Sequence, residues 1–205
     1  MQRIVLPLAA ILILVAVGCN NNGNNIQTPD YKTVAADPQR DTPKAQVHNA
    51  SAAKLLACDE LQEAEKELKA ALKADLFFGP AHNNLGTVYY RQQKFYLAAW
   101  EFQYAAKLMP NKAEPRNNLG MVFEAVGKLD DATKSYEEAV ALEPEATEIV
   151  GNLARAYVKN NRKDEKTKEL LTKIVMKDDR PPWVTWAKEH LATLGTDAAS
   201  QPNQN

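Results

Sequence analysis

Cysteine, histidine and serine are scarce in this 205-residue chain, and their scarcity limits the chemistry that the protein can perform. Two cysteines cannot form a disulfide scaffold, and three histidines offer little material for a metal site. Three serines, Ser51, Ser135 and Ser200, give a nucleophilic mechanism little to draw on. The sequence contains none of the common hydrolase, phosphate-loop or dinucleotide-binding motifs. We therefore expect no enzyme, no metal ligands and no cofactor.

An excess of positive charge is also lacking. The 25 lysines and arginines are balanced by 26 aspartates and glutamates, so the formal net charge is -1. A protein with this balance does not attract a phosphate backbone, and nucleic acid is not expected as a partner. The charged fraction of 25% and the apolar fraction of 45% are those of a globular chain, so we expect one folded core.

The chain begins with an apolar run that is too short to span a membrane. Residues 4–17 are apolar, follow a cationic start and contain Pro7, whereas a spanning helix needs about 20 apolar residues. The run has the size of a secretion signal, and small residues close it just before Cys19. Residues 1–18 are therefore predicted to be a signal peptide.

The small residues before Cys19 resemble the lipobox of bacterial lipoproteins. The resemblance implies that a diacylglycerol is attached to the Cys19 sulfur, that the chain is cut before this residue, and that the lipid anchors the protein in the bacterial cell envelope. Asn20 implies the outer membrane, facing the periplasm, if the cell has two membranes. The alternative is an ordinary signal peptide followed by a chance cysteine.

Two further segments are polar and lack apolar periodicity. Residues 20–44 are rich in asparagine and carry three prolines, so residues 19–44 are predicted to be the lipidated cysteine and a flexible tether. Residues 196–205 are predicted to be a disordered tail.

A 34-residue repeat organises the rest of the chain. Its clearest copy and the copy that follows carry matching residue types at every key position. These are Leu85, Gly86, Tyr89, Phe95, Ala98, Phe102, Ala105 and Pro110, then Leu119, Gly120, Phe123, Leu129, Ala132, Tyr136, Ala139 and Pro144. Weaker copies on either side give four units, at residues 45–78, 79–112, 113–146 and 147–178.

This pattern resembles the tetratricopeptide repeat. The resemblance implies an all-α fold, a right-handed superhelix of stacked helical hairpins in which the first helix of each unit lines a concave face. A stack of this kind needs a polar cover at its end. Residues 179–195, which contain Pro181, Pro182 and two tryptophans, are predicted to form that capping helix.

The resemblance also implies a non-catalytic scaffold that binds proteins or peptides. Lipoproteins with tetratricopeptide repeats include some that help assemble pili or recruit enzymes to the cell wall, so we expect a role in assembling a pilus, a secretion machine or the cell wall. The alternative is a glycan- or cell-wall-associated factor that docks a polysaccharide or peptidoglycan machine. Glu148 and Asn152 occupy positions where the family's chaperone-tail clamp has cations, which disfavours that ligand.

Asparagine recurs at one position of the first helices, at Asn84, Asn118 and Asn152. Because amides both donate and accept hydrogen bonds, this ladder predicts a groove that holds the backbone of an extended peptide. The alternative is a ladder that serves only the structure. The expected groove comprises Asn83, Asn84, Tyr90, Arg91, Asn117, Asn118, Met121, Asn152, Arg155 and Lys159.

A second candidate surface breaks the repeat. Tyr96, Trp100 and Tyr104 are spaced i, i+4, i+8 on one second helix, where neighbouring units carry mostly polar residues. The stripe predicts a lateral protein contact, with a partner or with a second copy. The alternative is that the tether or an irregular first unit covers it.

Charge is uneven along the predicted stack. Residues 113–146 hold three basic and eight acidic side chains, and residues 155–177 hold eight basic and three acidic. Solvated helix faces account for such blocks in most proteins. The alternative is a basic end that faces anionic headgroups or an acidic partner.

Overall fold

The computed structural model describes residues 40–199, with side chains through Leu194. The predicted signal peptide, Cys19, most of the tether and the last residues of the tail lie outside this part. Within residues 40–199 the chain forms nine α-helices and no strand: Thr42–Ala57 (α1), Leu61–Ala74 (α2), Gly79–Arg91 (α3), Phe95–Leu108 (α4), Glu114–Ala125 (α5), Leu129–Leu142 (α6), Thr147–Lys159 (α7), Glu165–Lys177 (α8) and Pro181–Ala199 (α9).

Local residue types explain where these helices begin and turn. Pro43, Pro80 and Pro115 lie in first turns, where the missing N–H is harmless. The turn between the two helices of each unit contains one residue with positive φ, and the four turns repeat every 34 residues. These residues are Asp59 (61°), Gln93 (59°), Gly127 (77°) and Asn161 (54°).

The helices pack as successive hairpins. α1 packs on α2, α3 on α4 and α5 on α6, and the second helix of each hairpin also packs on the first helix of the next. Close approach within a hairpin depends on glycine, because a Cβ on Gly86 would lie 2.7 Å from the Phe102 ring and one on Gly120 would lie 2.6 Å from the Tyr136 ring. The predicted all-α stack of helical hairpins is confirmed.

Helix α9 continues the register of the stack without a second helix of its own. It begins at Pro181, 34 residues after the start of α7 at Thr147, and it packs on α8. Trp183 and Trp186 lie against the core formed by Val150, Leu171 and their neighbours. The helix extends to Ala199, into the segment for which a disordered tail is expected. None of the helices in residues 40–199 combines the length and the apolar character that a membrane span requires.

Candidate functional site

The asparagine ladder joins consecutive units through amide–amide hydrogen bonds. Nδ2 of Asn84 donates to Oδ1 of Asn49 at 2.9 Å. Asn118 donates to Asn83 at 3.1 Å and Asn152 to Asn117 at 2.9 Å, so all three bonds connect residues 35 positions apart. Each bond orients the donating side chain and uses one of its two N–H groups.

The asparagines of the ladder differ in exposure. Asn84 and Asn118 are half-buried, and no other described residue forms a hydrogen bond with their second N–H or their carbonyl oxygen. Asn83 and Asn117 are buried, at 4% and 5% exposure, as is Asn152. Asn83 also donates to Glu114 at 2.8 Å, and Asn117 lies 3.9 Å from the sulfur of half-buried Met121. Asn49, which the expected groove omits, shares the 34-residue spacing of Asn83 and Asn117.

The cations of the expected groove all have acceptors within the protein. Arg155 and Lys159 both bind Glu124 on α5: Arg155 donates from Nε and Nη2 at 3.0 and 2.9 Å, and Lys159 donates at 2.6 Å. Arg91 donates to the backbone oxygen of Leu56 at 2.7 Å and lies 3.5 Å from Asp59. The two carboxylates Glu124 and Asp59 therefore offset most of the positive charge of these three cations.

Glu124 is the centre of the charged cluster on this face. Besides the two cations it accepts a hydrogen bond from the Tyr136 hydroxyl at 2.9 Å. Burial alone would raise the pKa of Glu124, but hydrogen bonds from Arg155, Lys159 and Tyr136 outweigh it and lower the pKa to about 2. Burial, followed by the adjacent Glu124 charge, raises the pKa of Tyr136 well above its usual range. Glu124 stays ionised at neutral pH and holds α5 and α7 together.

The aromatic stripe on α4 divides into an exposed part and a packed part. Tyr96 and Trp100 are 82% and 62% exposed. Tyr104 is half-buried, and its ring meets the His82 ring edge-on with centroids 4.6 Å apart. His82 has polar contacts of its own. Its Nδ1 lies 2.6 Å from Glu101 Oε2, and its Nε2 lies 2.9 Å from the Leu76 backbone oxygen. The exposed surface thus centres on Tyr96 and Trp100.

An apolar groove runs beside Trp100, with a cavity volume of about 520 Å³. We call it the Trp100 groove. It lies between α4 and the end of α5, so it falls at the junction of the second and third units. The lining residues are Phe95, Tyr96, Ala99, Trp100, Gln103, Val122, Phe123, Val126 and Lys128.

Two matches to the tetratricopeptide repeat, at residues 55–113 and 123–179, together cover more than half of the chain. The chain belongs to the tetratricopeptide repeat (TPR) family. No curated protein matches it in sequence.

Solved TPR structures share the fold of this chain. The first TPR of Spaghetti (RPAP3) bound to HSP90 peptide SRMEEVD is 24% identical, with a TM-score of 0.57 over 60% of this chain and 98% of that one. YrrB, a TPR protein with an unusual peptide-binding site, is 24% identical, with a TM-score of 0.59 over 73% and 76%. The MamA RS-1 ArsTM double mutant is 21% identical, with a TM-score of 0.64 over 77% and 86%.

Ion pairs between TPR units account for the uneven charge along the chain. Acids of the third unit face bases of the fourth: Glu145 binds Lys173 at 2.7 Å and also binds Lys177, and Glu137 lies 3.5 Å from Arg162. Hydrogen bonds from Lys173 and Lys177 lower the pKa of Glu145 to about 2. The acidic and basic blocks are thus complementary surfaces of two stacked units.

The histidines that recur in the TPR register belong to equivalent pairs. His48 lies 2.8 Å from Glu67, as His82 lies beside Glu101 in the next unit, and both pairs join the two helices of one hairpin. Within the described residues, no group of three or more histidine, cysteine or acidic side chains is arranged to hold a metal ion.

Proposed function

We propose that this protein is a non-catalytic scaffold, anchored to the bacterial cell envelope by a lipid on Cys19, that binds partner proteins or peptides through its TPR surfaces. Two of the similar TPR structures are described as binding peptides, and a binding role is typical of the fold. On this proposal the partners belong to an envelope machine such as a pilus, a secretion system or the cell-wall machinery.

The observation that carries the proposal is the pair of oriented amides at Asn84 and Asn118. Each side chain is held by one inter-unit hydrogen bond and retains a donor and an acceptor that no described residue uses. The neighbouring cations pair with the carboxylates of Glu124 and Asp59, and Arg91 also donates to the Leu56 backbone oxygen. A face with fixed amides and little net charge suits the main chain of an extended peptide better than an acidic tail.

A matched pair of variants tests whether the amides bind a ligand. Asn84→Ala and Asn49→Ala both remove the Asn84–Asn49 hydrogen bond, but only Asn84→Ala removes the remaining N–H and carbonyl oxygen of Asn84. The probe is a peptide selected from a random library on the full chain carrying Cys19→Ser. We expect Asn84→Ala to weaken binding by about 0.5–1.5 kcal/mol for each lost bond, while Asn49→Ala retains affinity. Equal losses in the two variants would show that the ladder is structural.

The lipid anchor has a test of its own. The thioether to diacylglycerol requires the Cys19 sulfur, so Cys19→Ser in cells should remove lipid labelling and release the protein from the membrane fraction while its helix content is unchanged. Fractionation of the two membranes then tests the proposed outer-membrane location. Membrane retention together with unchanged lipid labelling in Cys19→Ser would contradict the anchor.

A further inference from the structure

Three equivalent junctions join the four TPR units, and the first is closed by polar side chains. At this junction, between α2 and α3, Glu65 accepts hydrogen bonds from Nε2 of Gln92 at 3.2 Å and from the Tyr89 hydroxyl at 3.5 Å. Lys94 lies 3.9 Å from Glu65 and 5.6 Å from the centroid of the Tyr89 ring. The network links the two helices with polar side chains.

The third junction, between α6 and α7, is closed in the same way. Nδ2 of Asn160 donates to the Thr133 hydroxyl at 3.1 Å, and the Tyr157 hydroxyl donates to Glu137. Arg162 lies over the Tyr157 ring at 3.5 Å and 3.5 Å from Glu137. Burial and the hydrogen bond to Glu137 raise the pKa of Tyr157 to about 12.

The second junction, between α4 and α5, lacks all of these polar groups except the cation. In the 34-residue register, Phe123 replaces the two tyrosines and Val126 replaces Gln92 and Asn160. Ala99 replaces Glu65 and Thr133, and Trp100 replaces a lysine in both neighbouring units. The result is the Trp100 groove, whose volume of about 520 Å³ lies within the range typical of ligand pockets.

The groove contains the cation of this network but not the carboxylate that pairs with it at the other junctions. Lys128 lines the groove at the position that Lys94 and Arg162 hold at the other two junctions, where each pairs with a glutamate. The positions of those glutamates hold Ala99 and Gln103 here. Lys128 is exposed, and no carboxylate among residues 40–194 pairs with it.

We propose that the Trp100 groove docks a segment of a partner protein that inserts a large apolar side chain between α4 and α5 and presents a carboxylate to Lys128. The apolar group fills the space that Glu65 and Gln92, or Thr133 and Asn160, occupy at the other junctions. The carboxylate takes the place of Glu65 or Glu137 as the partner of the cation. The assignment rests on the proposed scaffold function and adds a second surface to it. The chemistry of the ligand is therefore apolar and acidic, unlike that of the neutral amide ladder.

To fill the groove, the chain's own tether would have to run back along the fold. The backbone N–H of Asp41 donates to the Ala74 oxygen at 3.0 Å, so the tether joins the fold where α2 ends. In an antiparallel stack this is the end opposite the start of α4, where Phe95 and Tyr96 line the groove. Helix α4 has 14 residues and is about 21 Å long. The tether would have to span this length and also the width of one unit of the stack.

Fluorescein-labelled dodecapeptides test the assignment on the full chain carrying Cys19→Ser. The panel places Trp, Phe or Leu at the centre and Glu two to four residues away, and each peptide has a twin with Gln in place of Glu. We expect the acidic peptides to bind about tenfold more tightly than their twins, because the hydrogen bond to Lys128 is charge-assisted. Lys128→Gln should remove this preference, and Lys128→Arg should retain it.

A transplant of the third junction provides the matched control. Ala99→Thr, Gln103→Glu, Phe123→Tyr and Val126→Asn together restore the residues that close that junction. This variant should remain folded, with unchanged helix content, and should not bind the panel. Binding that persists in the transplant, or equal binding of acidic and amide peptides, would overturn the proposal, as would absence of binding at millimolar peptide.

Two further measurements identify a different occupant. A dimer in solution that Trp100→Lys converts to a monomer would assign the groove to a second copy and overturn the proposal. Tighter peptide binding after deletion of residues 20–39 would assign it to the tether, with the same consequence. Neither result changes the Asn84 and Asn49 comparison, so failure of the groove remains distinguishable from failure of the scaffold function.

Discussion

At Gly120, a single hydrogen in place of a side chain lets α5 approach the buried Tyr136 ring. Ala at this position would place a Cβ 2.6 Å from ring carbons that are fully buried and fixed by the hydrogen bond to Glu124. We expect Gly120→Ala to destabilise the fold by about 1–3 kcal/mol, because overpacking outweighs the gain in helix propensity. Urea unfolding measures the change.

Gly127 supplies a control for Gly120, because it has positive φ and open space around its Cα. Its φ is 77°, and an added Cβ would meet no atom within 4 Å. Gly127→Ala should cost about 1 kcal/mol through backbone strain alone. Lys134→Ala, on an exposed helix face, is a second control. If Gly120→Ala lowers the free energy of unfolding no more than Lys134→Ala does, the Tyr136 ring moves aside.

The Glu124 carboxylate predicts a component of acid sensitivity. Its folded pKa of about 2 lies below its ordinary value of 4.5, so ionised Glu124 stabilises the fold above about pH 4.5, and this stabilisation is lost as the pH falls toward 2. When the pH falls from 6 to 3, we expect the wild type to lose about 2 kcal/mol more free energy of unfolding than Glu124→Gln. Denaturant titrations at both pH values measure the difference. Glu63→Gln, on an exposed face of α2, is the control, and identical pH slopes for wild type and Glu124→Gln would contradict the assignment.

At the scale of elements, α9 acts as an unpaired first helix that closes the stack. The asparagine ladder stops before α9, because its acceptor register continues at Gly151 and its donor register at Trp186. A Cβ on Gly151 would lie 3.0 Å from the Trp183 ring, so the indole of α9 takes the space of a side chain. Arg155 and Arg180 lie over the same ring at 5.4 and 4.9 Å.

Removal of α9 should therefore expose the core of the fourth unit. A chain ending at Asp179 uncovers apolar residues such as Val150, Leu171 and Ile174, which α9 now covers. We expect a lower melting temperature and association that increases with concentration, since large exposed apolar patches associate. Calorimetry and sedimentation measure the two effects. Truncation after Leu194, which leaves Trp183 and Ala187 in place, is the control and should behave as the full chain.

At the scale of the whole molecule, the stack formed by residues 40–199 is unsuited at both ends to receive a further unit. Lys54 is exposed on α1, whereas its equivalents Val88, Val122 and Ala156 are buried against a preceding helix. With Lys54 at one end and α9 at the other, we expect the mass in solution not to increase indefinitely with concentration. Sedimentation over a wide concentration range tests this, and open-ended growth of the unaltered chain would contradict it. Lys54→Leu combined with truncation at Asp179 should permit end-to-end growth.

The fold was predictable because the residues that define it repeat at short range. Leucine, glycine, aromatic and alanine positions recur every 34 residues, and each serves one hairpin and its neighbour, so periodicity alone locates the helices and the turns. Asn49, which accepts the first hydrogen bond of the ladder, shows the same periodicity and is predictable from it. The structure does not describe residues 1–39, which include the expected lipid site, so that prediction stays a prediction.

The contacts of the candidate sites required the tertiary structure, because they join single residues of different helices. Glu124 binds Arg155 and Lys159, which lie 31 and 35 positions later, and Tyr104 packs on His82. The Trp100 groove results from residue differences on α4, on α5 and in the turn after α5. These positions are separate in sequence and become one surface only when the two helices pack. Sequence by itself determined the repeat and the stack, whose periods are local. Tertiary packing decided which charges are neutralised and which apolar side chains stay uncovered, because both depend on the rotation of one helix against the next.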